Sequence, residues 1–252
     1  MIRGAARAAR GRARRARFAA WAARLRVELA RNGGRLILDA PHGATFDEPP
    51  LIKASHHGPH AGAGTLTLRL GRDVDLGRHT VLQVWGAGHN TLEIGDRTTL
   101  GQGVRLTLRD GAIRLGPEVE VRDVVYLKSD GALRVGASVL LGHAAVISAT
   151  EEVTVGDLVA LGERVTLIDS DHAVDGGDTH WARAPLHVTP VRVGRNVVVG
   201  ANSVVLRGAE IGPNAVVAAG AVVRSGELSG GWLYGGVPAR ALKPLGKVGS
   251  AT

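Results

Sequence analysis

The 252-residue chain contains no cysteine, which excludes disulfides, thiolate nucleophiles and Cys-ligated zinc sites. Aromatic residues make up only 3% of it, so the core must be built from Val, Leu, Ile and Ala. Such a core suits a narrow, repetitive interior better than a wide globular one. No apolar run reaches the roughly 18 residues of a transmembrane helix. The basic N-terminus is not followed by the apolar core of a signal peptide. A cytoplasmic location is the default expectation, with the inner face of a membrane as its variant.

What the chain does have is glycine, 36 residues of it, and an uneven charge. The formal net charge of +8 is a misleading average, because residues 1–31 carry ten Arg and a single acid, Glu28. The remaining residues nearly balance. Ala and Arg are good helix formers. Arg3, Arg7, Arg10, Arg14, Arg17, Arg24 and Arg31 fall on one helical stripe, and Phe18, Trp21, Ala22, Leu25 and Leu29 on an adjoining apolar one. Asn32-Gly33-Gly34 then stops the helix. One reading is peripheral contact with an anionic membrane surface. A second packs the apolar stripe on the following domain. A third is an upstream extension of the reading frame. Nucleic-acid binding is not expected, since no recognition module follows the charge run.

Residues 41–64 are rich in Pro, Gly and His, but His42, His56, His57 and His60 fit no standard zinc spacing. A linker or an irregular first coil is expected there. From residue 76 a pair of aliphatic residue and glycine keeps returning: Leu76-Gly77, Ile94-Gly95, Leu100-Gly101, Leu115-Gly116, Val135-Gly136, Leu141-Gly142, Val155-Gly156, Leu161-Gly162, Val193-Gly194, Val199-Gly200 and Ile211-Gly212. Many lie six residues apart, and the larger period runs from 18 to 21. Three six-residue units describe a triangular coil with three short strands and three corners. The aliphatic residue points inward and the small residue allows the corner. Val197, Val204 and Val216 are expected to pack the next layer. Steps longer than 18 place extra residues at one corner.

The repeat breaks badly once, between Val155 and Val193. A coil tolerates an insertion only at a corner, so this stretch predicts an extruded loop, and irregular segments on rigid scaffolds tend to carry function. The loop holds Asp169, Asp171, His172, Asp175, His180 and Trp181. The resulting organisation is a basic helix at 1–34, a linker or first coil at 35–65, the repeat domain at 66–226 with its loop at 169–190, and a C-terminal cap and tail at 227–252.

These repeats resemble the left-handed parallel β-helix of the hexapeptide-repeat acyltransferases, an all-β solenoid. The handedness comes from that resemblance. Asp169-Ser170-Asp171-His172, Pro190-Val191-Arg192-Val193-Gly194 and the closing Gly235-Gly236-Val237-Pro238-Ala239-Arg240 resemble the maltose- and galactoside-O-acetyltransferase-like branch. The resemblance implies transfer of an acetyl group from acetyl-CoA to a sugar or glycan-type acceptor, with His172 as general base. An imidazole suits that role because it titrates near neutral pH. Asp169, Asp171 or Asp175 would orient it, or a backbone carbonyl would do so instead. Asp175, His180 and Trp181 are candidates for the acceptor site. Gly200, Ala201, Ala218 and Ala219 match the positions meeting the pantetheine arm, and Arg224, Arg240 and Lys243 are cations suited to the phosphates. The branch often carries Thr-Lys where this chain has Arg224-Ser225, which shifts the phosphate contacts. The resemblance also implies a homotrimer with sites shared between subunits.

Two other functions compete. A carbonic-anhydrase-like metal enzyme shares the fold, and Leu141-Gly142-His143 resembles part of its motif, but Ser148 stands where a second His ligand is needed. No metal is therefore expected. A non-catalytic scaffold is the other.

Overall fold

The computed structural model describes residues 2–54, 62–174, 176–178 and 180–246, with side chains from residue 13 onward. His56, His57, His60 and Asp175 lie outside the described residues. The architecture is a parallel β-solenoid with three faces, A, B and C, carrying nine, ten and eight strands. It has the build expected of a left-handed β-helix of hexapeptide repeats. We number the coils 1 (35–54), 2 (65–85), 3 (89–109), 4 (112–129), 5 (132–149), 6 (152–168), 7 (191–205) and 8 (209–223), with a partial ninth from residue 226.

Each coil pairs in parallel register with the next. On face A, Ile94 sits over Leu115, which sits over Val135 and then Val155. The aliphatic members of the eleven pairs all point inward and are at most 4% exposed. Burying a side chain of this kind contributes about 1.5–3 kcal/mol. The glycines that follow serve the stacking itself. A Cβ on Gly116 would stand 2.6 Å from the carbonyl oxygen of Gly136, and one on Gly142 would stand 2.5 Å from the carbonyl carbon of Gly162. The corners turn through left-handed residues, mostly polar ones such as Asn196, Asn202 and Asn214, although Val124 also adopts φ 54°.

Val197 is buried as expected, but Val204 and Val216 are not part of an inner layer. They face outward on faces C and B, while their neighbours Val205 and Val217 fill the core. The strand period of two decides this, since adjacent residues point to opposite faces.

Residues 35–54 form a first coil, with strands Arg35–Asp39, Ala44–Thr45 and Leu51–Ala54. The helix Ile2–Arg31 covers the open end of the stack. Phe18, Trp21, Ala22, Leu25 and Leu29 are buried there, and the Trp21 indole N–H donates to the Pro50 carbonyl at 3.0 Å. The apolar stripe that membrane contact relied on is therefore occupied by the solenoid. No helix among the described residues is long and apolar enough to cross a membrane. The far end closes with strand Arg240–Pro244, which runs antiparallel to Trp232–Gly235.

Candidate active site

The loop leaves the solenoid at the corner between face C of coil 6 and face A of coil 7. Its base is a short antiparallel ribbon in which Ser170–His172 pairs with Leu186–Val188. Two contacts fix which way each side of the ribbon faces. The Ser170 hydroxyl meets the Thr150 hydroxyl of the preceding coil corner at 2.8 Å. On the opposite side, Asp171 Oδ2 lies 2.8 Å from Nε of Arg207, at the corner between coils 7 and 8, as an ion pair out of line for a hydrogen bond. Alternation along the strand then puts His172 on the side of Ser170, toward the N-terminal coils.

His172 Nδ1 faces the Ala184 carbonyl oxygen at 3.4 Å. Trp181 meets the imidazole edge-on, with ring centroids 5.1 Å apart, and His180 stacks on Trp181 at 5.6 Å. Trp181 opens the 3₁₀ turn Trp181–Arg183 and is 61% exposed. The structure thus brings His172, His180 and Trp181 together.

It assigns the two carboxylates elsewhere. Asp169 is fully buried and accepts from the backbone amides of Thr150 (2.7 Å), Glu151 (2.7 Å) and Glu152 (2.9 Å). Its oxygens seal the corner below the loop and do not orient His172. Asp171 points away from the imidazole and toward Arg207. Of the expected orienting groups among the described residues, a backbone carbonyl, that of Ala184, is the one beside the imidazole. Ala184 and Arg207 were not singled out in the sequence, because contacts made across a loop leave no spacing to read.

Of the residues carried over for the cofactor, Gly200, Ala201, Ala218, Ala219 and Arg224 flank face C of the last coils, and Arg240 and Lys243 extend face B. Gly200 and Ala201 turn the B–C corner of coil 7, and Ala218 and Ala219 stack on them in coil 8; a Cβ on Gly200 would meet the Ala219 amide at 2.4 Å. Arg224 is exposed at the C–A corner of coil 8. Arg240 and Lys243 lie exposed on the antiparallel strand beyond it, past a cis Val237–Pro238 bond. The strongest electrostatic shifts fall at the A–B corner far from the loop. There the Arg72 amide and guanidinium hold the Asp96 carboxyl below its usual range, and Arg97 with Ser138 does the same to Glu118, whose hydrogen bond and then charge raise Arg97 in turn. Among the described residues, no group of three or more His, Asp or Glu side chains is placed to hold a metal ion.

Residues 190–225 match the family model described as bacterial transferase hexapeptide, six repeats. This segment has the hexapeptide-repeat pattern of that model. It begins where the loop returns to the solenoid and includes coils 7 and 8. No curated protein matches the chain in sequence. Solved structures similar to it include an N-acyltransferase from Bacillus cereus in complex with dTDP and coenzyme A, at 16% identity over 62% of this chain and 78% of that one, with a TM-score of 0.45. Another is a hexapeptide-repeat acetyltransferase from Vibrio cholerae in complex with acetyl coenzyme A, at 22% identity over 62% and 72%, TM-score 0.40. A maltose O-acetyltransferase from Clostridium difficile 630 aligns at 19% identity over 62% and 70%, TM-score 0.39.

Proposed function

We propose that this chain is an acyltransferase that moves an acetyl group from acetyl-CoA to a hydroxyl of a sugar or glycan-type acceptor, with His172 as general base. The observation that carries this reading is the tether on His172. With Nδ1–H donating to the Ala184 carbonyl oxygen, Nε2 is left to accept a proton. His172 takes the acceptor hydroxyl's proton as its oxygen attacks the thioester carbonyl, then returns it to the departing sulfur. A positioned base of this kind contributes roughly 10²- to 10⁴-fold. The hexapeptide transferase segment adjoining the loop supports the same class of reaction.

Trp181, exposed beside the imidazole, offers a flat apolar surface to a sugar ring, and His180 backs it. Gly200, Ala201, Ala218 and Ala219 leave the backbone open to a pantetheine arm, and Arg224, Arg240 and Lys243 supply charge for phosphates. We assign the assembly as a homotrimer. Its support is the outward row on face B, which turns apolar from coil 5 onward through Leu140, Ala160, Val198, Val216 and Leu233. A cytoplasmic location fits the supply of acetyl-CoA.

The test follows thiol release from acetyl-CoA over a panel of sugars, nucleotide sugars and amino sugars, with wild type and His172→Ala. We expect turnover on a hydroxyl acceptor, lost by at least about 100-fold in the variant with acetyl-CoA binding retained. Undiminished turnover in the variant removes His172 from the mechanism. Absence of acetyl-CoA binding by the wild type removes the transferase reading.

A further inference from the structure

The outward residues of the three faces differ in charge. Face A carries a ladder of opposite charges: Arg69 and Arg114 both engage Glu93, Arg134 and Arg192 engage Glu152, and Arg192 also reaches Glu210. Those side chains neutralise one another. Face C is different. Among the described residues, its outward positions hold Lys53, Arg105, Arg109 and Lys128 and no acidic residue at all. The nearest acids sit at the corners; several are engaged, while Glu151 on the C–A side and Glu163 on the B–C side are exposed. On the C–A side, Asp110 accepts from the Gly88 amide, and Asp130 holds both Arg109 and Lys128. On the B–C side, Asp47 pairs with Arg78, Glu48 with His79, and Asp123 lies near His143; Glu163 is exposed there beside Arg164. Face C also presents two of the chain's few aromatic rings, Trp85 and Tyr126, both half-buried.

This face leads to the loop. Ile168, the last outward residue of face C in coil 6, lies just before the ribbon, and His172 faces back over the N-terminal coils rather than forward. From Lys53 to Ile168 is five coil steps, about 24 Å at the usual strand spacing.

We propose that face C of coils 1–6 is the binding track for a linear, negatively charged saccharide whose terminal or near-terminal hydroxyl reaches His172. The cations lie in coils 1, 3 and 4, spread along the stack as the acid groups of a polymer are, with Arg109 and Lys128 sharing Asp130, and the two aromatic rings suit sugar faces between them. The inference rests on His172 being the base, and it names the class of acceptor. Face B, by contrast, has the apolar surface for a second copy.

The test measures binding by the full chain rather than turnover. Probes are oligogalacturonates of two to eight units, neutral malto-oligosaccharides of matching length, and oligo(dT) as a polyanion of another class. Arg105→Gln with Lys128→Gln removes two charges from face C; Arg114→Gln with Arg134→Gln removes two from face A. We expect oligogalacturonate affinity to rise with length and to fall with salt. It should drop about tenfold in the face C double variant, and stay within about twofold in the face A variant. His172→Ala should bind as wild type does. Equal loss in both double variants overturns the track, as does equal affinity for the neutral series. Tighter binding of oligo(dT) assigns the face to nucleic acid instead. A change in oligomer mass with no change in saccharide binding assigns it to a second copy. An active His172→Ala variant that still binds oligogalacturonate defeats the catalytic reading alone.

Discussion

At two corners of the coil the inward residues keep to six-residue spacing, as in Leu115, Val121 and Leu127, and again in Val193, Val199 and Val205. At the C–A corner the spacing wanders. It is twelve residues from Leu82 to Ile94, nine from Leu106 to Leu115, eight from Leu127 to Val135 and twenty-six from Leu167 to Val193, before settling at six from Val205 to Ile211. Glycines seat against the backbone of the next coil at all three corners, Gly111 and Gly131 among them at the third, and single carboxylates such as Asp96 and Asp123 take amides at the first two. What sets the third corner apart is how much one carboxylate spans there. Asp110 takes the Gly88 amide, and Asp169 takes three amides of the coil below it. A side chain that reaches down can satisfy a corner while the main chain leaves it. That is how the long loop is carried without opening the core.

Asp169 is where this contrast breaks most easily. Asp169→Ala leaves three amides without their acceptor, and we expect a loss of about 3 kcal/mol or more in urea unfolding, with transferase activity falling alongside. His172→Ala, three residues on, should leave stability untouched. Equal stability of the two variants would mean that the corner is closed by something other than the carboxylate. Next in size is the locked corner. Gly116→Ala places a methyl group against the Gly136 carbonyl and should cost about 1–3 kcal/mol, whereas Gly176→Ala, in the loop with nothing within 4 Å, should cost less even with its positive φ. The smallest effect is a gain. Val124 turns its corner in a left-handed conformation that a β-branched residue resists, and it is 58% exposed. Val124→Asn should raise stability by about 1 kcal/mol in the same unfolding assay.

The repeat was legible because its cause is local. An aliphatic residue followed by glycine records, in two letters, a side chain pointing in and a backbone that a neighbour touches. The loop was legible as the interval the repeat could not fill. Coil 1 was harder to read, since its strands sit 30 residues before their partners in coil 2 and its corners carry Pro41, Pro49 and Pro50 in place of the glycine pairs. Two of the three carboxylates considered for orienting His172, Asp169 and Asp171, turn out to be placed elsewhere for another reason. Asp169 and Asp171 are near His172 in sequence, but a strand sends neighbours to opposite sides, and Asp169 lies before the ribbon begins. The charge on face C was invisible until register placed Lys53 and Lys128 in one row of that face and Arg105 in the row beside it, because in the sequence neighbouring members are 52 and 23 residues apart.

The two ends of the stack have a consequence for how the molecule behaves in a crowd. A pile of parallel coils offers at each end a triangle of unpaired strand edges, the kind of surface on which another copy adds and then another. Here one triangle lies under a helix bound through Trp21, Leu25 and Leu29, and the other finishes in a strand of reversed polarity. On face B the reversed strand occupies the edge on which a further parallel coil would pair. At the other end the helix stands where such a coil would stack.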